Sequence, residues 1–205
     1  LATGGNAIYG LEQAIENLKN YRSLTDSAVE VNLKYIIHLV GDMHCPMHLG
    51  HLSDLGGNRV PVTVFGRSSN LHAAWDTTLP ESAHKWSYTE WQNQLDRLTE
   101  EEVARIQSGT PFDWFEESNA ICREIYVATP EGSDLSYDYI AKYAPVIERQ
   151  LLRGGHRLDN GNINRKIPEF PTKNSGIFLF SDRLQSVQKL HHIDRIRIVR
   201  KCRLL

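Results

Sequence analysis

Apolar residues recur at helical spacing along most of the chain up to Gly155. In residues 7–20, AIYGLEQAIENLKN, the positions Ile8, Leu11, Ile15 and Leu18 share one face and predict an amphipathic helix. Residues 27–41, SAVEVNLKYIIHLVG, predict a second, stronger helix. Ser27 and Glu30 fit a capping box, and Gly41 lies near the C-terminal end. The second half of this helix, YIIHLV, is apolar nearly all round and predicts a central, buried element. Pro46 argues that it does not run far beyond Cys45. GHLSDLGGN at 50–58 reads as loop. RVPVTVFG at 59–66 alternates, with Val60, Val62 and Val64 on one face, and predicts a short strand that Pro61 places at a sheet edge. Asn70 is the expected N-cap of a short helix over 70–79. Helices are then expected at about 88–107, 111–128 and 134–153. Thr-Pro pairs at 110–111 and 129–130 mark boundaries, and Gly154-Gly155 is the expected stop. The pattern is mainly α with a small β-hairpin insertion and no internal repeat.

From Asn160 the pattern fails. IPEFPTKNSGIFLFS is loop-like, and HHIDRIRIVRKCRLL reads as a basic amphipathic strand or helix. Charge changes at the same place. Residues 161–205 carry ten basic and three acidic side chains, +7, which leaves −9 on residues 1–160 out of the total of −2. The expected organisation is therefore a domain over 1–160 and a basic extension over 161–205. At 205 residues, 40% hydrophobic and 23% charged, the composition is globular. No run of 18 apolar residues occurs, which excludes a membrane-spanning helix. Cys45, Cys122 and Cys202 are too few and too scattered for a disulfide framework or a cysteine-based zinc site.

The chemistry is concentrated between residues 38 and 76. Five of the nine histidines (His38, His44, His48, His51, His72) fall there, with Asp42, Asp54 and Asp76. His38 and Asp42 are four apart, so on a helix they share a face one turn apart, and His72 and Asp76 repeat the spacing. Imidazole and carboxylate are the donors that catalytic zinc takes. Asp42 beside Ile37 and Val40 needs a cation or a hydrogen-bond network, because a buried lone carboxylate is costly. A single histidine on an apolar helix is more often a satisfied core residue. Two His–Asp pairs plus His48 outweigh that reading. His44 and His51 lie off the register and are expected at the surface or behind the ligands.

IHLVGDMHCPMHLG, then DLGGN, then NLHAAWD resembles the S1/P1 nuclease family, whose pattern is H-x-x-x-D-x-x-x-x-x-H, D-x-G-G-N and N-L-H-x-x-W-D. The resemblance covers roughly residues 1–158, is strongest over 31–80, and looks bacterial-type. The common family form has Gln before the proline where this chain has Cys45, a change expected to leave the ligands unaltered. The resemblance implies a phospholipase C/P1 nuclease-like helical fold with a trinuclear Zn²⁺ cluster at the bottom of a cleft. His38 would bind the first zinc of a close pair, and Asp42, the expected catalytic carboxylate, would bridge that pair. His48, His72 and Asp76 would hold the third zinc. Asn58 would lie near substrate, with the adjacent glycines letting backbone approach closely. Asp54 would orient a ligand from behind, and Trp75 is expected to pack in the core rather than stack on a base. The implied reaction is metal-assisted hydrolysis of single-stranded DNA or RNA to 5′-phosphorylated products, with 3′-nucleotidase activity beside it. Single strands are favoured because a recessed cluster needs an unstacked strand.

The family's other ligands, an N-terminal Trp, a His and a later Asp and His, correspond to positions before Leu1. The expectation is an N-terminally truncated chain in which only the His48/His72/Asp76 site is complete and activity is impaired. Residues 161–205 have no family counterpart. The resemblance also implies secretion or a periplasmic location. It implies nucleic acid and nucleotides as substrates and no protein partner. Three other readings compete: a zinc-dependent phospholipase C-like enzyme, a non-catalytic zinc-binding domain, and a nucleic-acid-binding module acting through the basic extension. The phospholipases carry Glu in the ligand role that Asp76 fills here.

Overall fold

The computed structural model describes residues 6–159. The expected basic extension lies outside the described residues. The chain divides into two compact units, Leu1–Gly41 with Gly155–Leu205, and Asp42–Gly154.

In the first unit, α1 (Ala7–Lys19) begins where the Asn6 side chain accepts a hydrogen bond from the Tyr9 amide at 2.9 Å. It buries Leu11, Ala14, Ile15 and Leu18. α2 spans Asp26–His44. The two helices approach closely, because a Cβ on Gly10 would stand 3.4 Å from Leu39 Cδ1. Asn17 Nδ2 also donates to Asn32 Oδ1 at 2.9 Å. The expected Ser27–Glu30 box is not the cap. Thr25 Oγ1 accepts from the Ala28 amide at 3.2 Å, which starts the helix one residue earlier, and Glu30 pairs instead with Lys34 one turn on, at 2.6 Å. The second half of α2 is not buried all round. Ile36 and Val40 are buried while Tyr35 is 48% exposed.

In the second unit, β1 (Pro61–Val64) and β2 (Arg67–Asn70) form an antiparallel hairpin. Phe65 and Gly66 turn it, both at positive φ (50° and 71°), the backbone that matches strand twist in a tight hairpin. β3 (Asp134–Leu135) pairs parallel to β1, giving the order β2-β1-β3. Pro61 therefore sits on the central strand and not on an edge. It is tolerated there as the first residue of the strand, and its carbonyl accepts from the Gly132 amide at 2.8 Å.

Helix α3 (Leu71–Ala73) runs into a π-helical turn, Ala74–Thr78, and on into α4 (Leu79–Ala83). The Leu79 amide donates five residues back, to the Ala74 carbonyl. Pro80 supplies a cause. In α geometry its ring would meet the carbonyl four residues back, that of Asp76, and a widened turn relieves the clash.

The expected helix over 88–107 is two: α5 (Tyr88–Leu95) and α6 (Glu100–Gln107), each opened by its own capping box, Ser87/Glu90 and Thr99/Glu102. α7 spans Pro111–Ala128 as expected. α8 runs from Tyr137 to Leu158, straight through Gly154-Gly155. Gly154 serves close packing instead of a stop: a Cβ there would stand 3.4 Å from the His44 side chain.

The core of this unit gathers Met47, Val62, Val64, Leu71, Leu79 and Ile125, all 4% exposed or less. Each such side chain contributes about 1.5–3 kcal/mol by leaving water. Trp75 lies in the same core with its Nε1–H donating to Tyr139 Oη at 3.0 Å. A ring this enclosed, 3% exposed, is packing and not a platform for a base.

Candidate metal centre

The site is built where α2 ends. The carbonyls of a last helical turn lack helical partners. Here the His44 carbonyl accepts from Gln150 Nε2 of α8 at 3.1 Å, and Gln150 also reaches Ser118 Oγ of α7 at 2.8 Å. His44 is therefore a buried anchor, 5% exposed, and not a surface residue.

Beyond it the chain doubles back in two tight steps. The Cys45 amide donates to the Asp42 carbonyl at 3.1 Å, and the His48 amide to the Cys45 carbonyl at 3.0 Å. Pro46 opens the 3₁₀ turn Pro46–Leu49 that results. A residue six places along the sequence thus returns to Asp42: His48 Nδ1 lies 3.2 Å from Asp42 Oδ1. The other ring nitrogen, Nε2, lies 3.3 Å from Asp76 Oδ1. Asp76 comes from the π-helical turn, and its side chain is 9% exposed. Burial works to lower the pKa of His48. The Cys45 sulfur and the hydrogen bonds to Asp42 and Asp76 outweigh burial and hold it well above the usual histidine range.

His72 stands beside His48 with rings 5.2 Å apart and nearly parallel. Its Nδ1 is 2.8 Å from the Gly56 carbonyl. A carbonyl only accepts, so Nδ1 carries the proton and the donor lone pair is on Nε2. Fixing one ring nitrogen in this way sets the tautomer and aim of a ligating histidine. Asn70, N-cap of α3 as expected, accepts from the Ala73 amide at 2.8 Å.

The loop that supplies the Gly56 carbonyl is organised by Asp54. Its Oδ1 accepts from the Gly57 amide at 2.7 Å and from Tyr126 Oη at 2.9 Å. Tyr126 Oη in turn accepts from the His51 amide at 3.2 Å. Burial, with the Asp54 carboxylate adding to it, pushes the Tyr126 pKa up to about 12. Gly56 and Gly57 hold φ of 66° and 85°. A Cβ on Gly50 would meet Gly56 Cα and Tyr126 Oη at 2.7 Å. These glycines thus permit the loop to pack on the protein itself. Asn58 is exposed, its Nδ2 donating to the Leu55 carbonyl at 2.8 Å. His51 is a surface side chain, 60% exposed, stacked on Tyr126 with centroids 4.1 Å apart.

Asp42, His48, His72 and Asp76 are thus brought together in one unit. His38, half-buried on α2 one turn before Asp42, belongs to the other unit. Among the described residues, one group of three potential donors has ligand atoms all within 4.8 Å of one another: Cys45, His48 and Asp76. The donor chemistry fits zinc, with imidazole nitrogen and carboxylate oxygen converging and a second imidazole fixed from behind.

Residues 2–164 match the family model described as S1/P1 Nuclease. The chain belongs to the S1/P1 nuclease family. It is 32% identical to Endonuclease 4 of Arabidopsis thaliana over 155 residues, 65% of this chain and 51% of that protein. It is 31% identical to Nuclease S1 of Aspergillus oryzae over 172 residues, 71% of this chain and 58% of that protein. It is 28% identical to Nuclease P1 of Penicillium citrinum over 174 residues, 72% and 64%. The chain thus spans about half to two thirds of the length of these relatives. Both His–Asp pairs and the Gly-Gly-Asn loop between them lie within the residues matched to the S1/P1 nuclease family. Three partners of the site carry no signal in the local sequence. Tyr126 and Gln150 are far from it along the chain, and Cys45, set aside as a neutral exchange, places its sulfur among the donors. No helix among the described residues is long and apolar enough to cross a membrane.

Proposed function

We propose that the protein is a zinc-dependent phosphodiesterase that hydrolyses single-stranded DNA and RNA to 5′-phosphorylated products and removes 3′-phosphate from nucleotides. The observation that carries this reading is the convergence of Asp42, His48 and Asp76, with His72 aimed from behind by the Gly56 carbonyl. Zinc bound there would supply Lewis acidity and an activated water near neutral pH. In this reading His48, His72 and Asp76 would hold one ion, and His38 and Asp42 would each serve the separate close pair. Asp54 keeps the loop closed, so that the Gly56 carbonyl holds the His72 proton on Nδ1. Asn58, exposed at the loop tip, offers an amide to substrate. Family membership supports nucleic acid and nucleotides as substrates, and secretion or a periplasmic location as the setting.

The test is release of acid-soluble nucleotides from single-stranded DNA and RNA. Activity is expected to vanish on chelation and return with zinc, with 5′-phosphate on the products. Chelator-insensitive release, or 3′-phosphate ends, would overturn the proposal. Zinc binding without turnover would favour a binding domain.

A further inference from the structure

We propose that the Cys45 thiolate is a direct metal donor in this site, which turns a His–Asp centre into one selective for thiophilic ions. The proposal rests on the zinc reading above and goes beyond it. Cys45 Sγ lies within 4.8 Å of both a His48 ring nitrogen and an Asp76 carboxylate oxygen. In a tetrahedral zinc shell, Zn–S of ~2.3 Å and Zn–N of ~2.0–2.1 Å put neighbouring donors roughly 3.5 Å apart. The donor atoms need close in by no more than about 1.3 Å, the scale of a rotamer adjustment. Backbone hydrogen bonds hold the Cys45 placement. Cys45 donates its amide to the Asp42 carbonyl and lends its own carbonyl to the His48 amide, so its position is fixed by the two residues that flank the ion. The thiol is free of any disulfide and half-buried.

Binding is an exchange of a proton for a metal: the Sγ–H bond breaks, the proton passes to solvent, and the sulfur lone pair forms the bond to the ion. No oxidation is involved. Sulfur, nitrogen and oxygen together favour zinc, cobalt and cadmium over magnesium and manganese, which prefer oxygen donors.

Cobalt(II) titration of the full-length chain tests this, because one spectrum reports two things. Visible ligand-field bands report that cobalt is bound, and a near-ultraviolet charge-transfer band reports a thiolate bond. Both are expected in the unaltered protein. Cys45→Ser and Cys45→Ala are expected to keep the ligand-field bands and lose the charge-transfer band. Cys202→Ser should lose neither. Zinc affinity, read by chelator competition, should fall about tenfold or more in the Cys45 variants, while manganese affinity stays level. Ligand-field bands without charge transfer in the unaltered protein would overturn the thiolate donor and leave the zinc reading standing. A charge-transfer band that survives both Cys45 substitutions would also overturn it. Absence of cobalt binding altogether would overturn both. Circular dichroism of the two variants confirms that a lost band is not lost folding.

Discussion

His38–Asp42 and His72–Asp76 have the same spacing and stand on unlike backbones. The first pair rides an ordinary α-helix, α2, and the chain leaves that helix directly after it, turning at Cys45 and Pro46 to bring His48 back to Asp42. The second pair straddles the passage from α3 into a π-helical turn, where each hydrogen bond spans one residue more. Spacing of i, i+4 therefore predicts that two ligands share a face and says little about their aim. Aim comes from what surrounds each pair. For Asp42 it is the doubled-back segment, and for His72 it is a carbonyl delivered by the 50–58 loop. The second pair is the more heavily prepared, with a fixed tautomer, a capped helix start and a widened turn.

Asp42 carries the largest expected effect. Under the proposed zinc reading, Asp42→Ala should lower nucleotide release on the order of 10³-fold, the several kcal/mol a metal-binding carboxylate and its ion would supply. Zinc at the His48/His72/Asp76 site should persist, as read by metal analysis. Asp76→Ala should instead empty that site. If the two variants lose metal alike, the pairs are not separable.

Asp54→Ala probes how the loop supports His72. It touches the loop and no proposed ligand in the hydrogen bonds described above, yet the Gly56 carbonyl would drift and His72 lose its aim. A 10–100-fold loss of zinc affinity is expected, the usual range for residues behind a ligand. Unchanged affinity would show that the loop does not position His72.

Pro80→Ala tests the widened turn itself. Relaxation towards α geometry should stabilise the fold by about 1 kcal/mol. That is less than the ~3 kcal/mol of a helix-interior proline, because Pro80 lies in the first turn of α4. Zinc affinity should fall a few-fold. A raised Tm with unaltered zinc binding would detach the turn from the site.

The smallest effect is a control in helices that carry neither pair. Hydrogen bonds from the caps hold the Glu90 and Asp113 carboxyls below the usual carboxylate range. A depressed folded-state value stabilises above the unfolded-state value and is lost as pH falls through the folded one. Amide protection, corrected for the intrinsic rate, should therefore fall in the first turns of α5 and α7 only below about pH 4, with zinc-site amides following a different profile.

Much of the fold could be read from the sequence because its periodicity is strong. Ile8, Leu11, Ile15 and Leu18 announce α1, and Thr110 with Asp113 opens α7 where the Thr-Pro pair suggested. The elements beyond that reach lack a local signal. β2 reads Arg-Ser-Ser-Asn, with no apolar alternation, and β3 is two residues long. The break between α5 and α6 was signalled by Thr99 and Glu102, a capping box concealed by apolar residues that keep helical spacing across it. Gly154-Gly155 does not end α8, because a glycine serves close approach as readily as a helix stop. At the site, residue types and order were visible. The aim of His72 was not, since it depends on Tyr126 and Asp54, 72 positions apart.

The phenol of Tyr126 fixes the alkaline end of the loop's working range. It donates to Asp54 only while protonated, and its pKa is pushed up to about 12. A folded-state value raised above that of a free tyrosine keeps its stabilisation below about pH 10 and loses it as pH climbs through about 12. The clasp on the 50–58 loop thus stays shut across ordinary alkaline buffers, and in a spectrophotometric titration Tyr126 should be among the last tyrosines to turn phenolate.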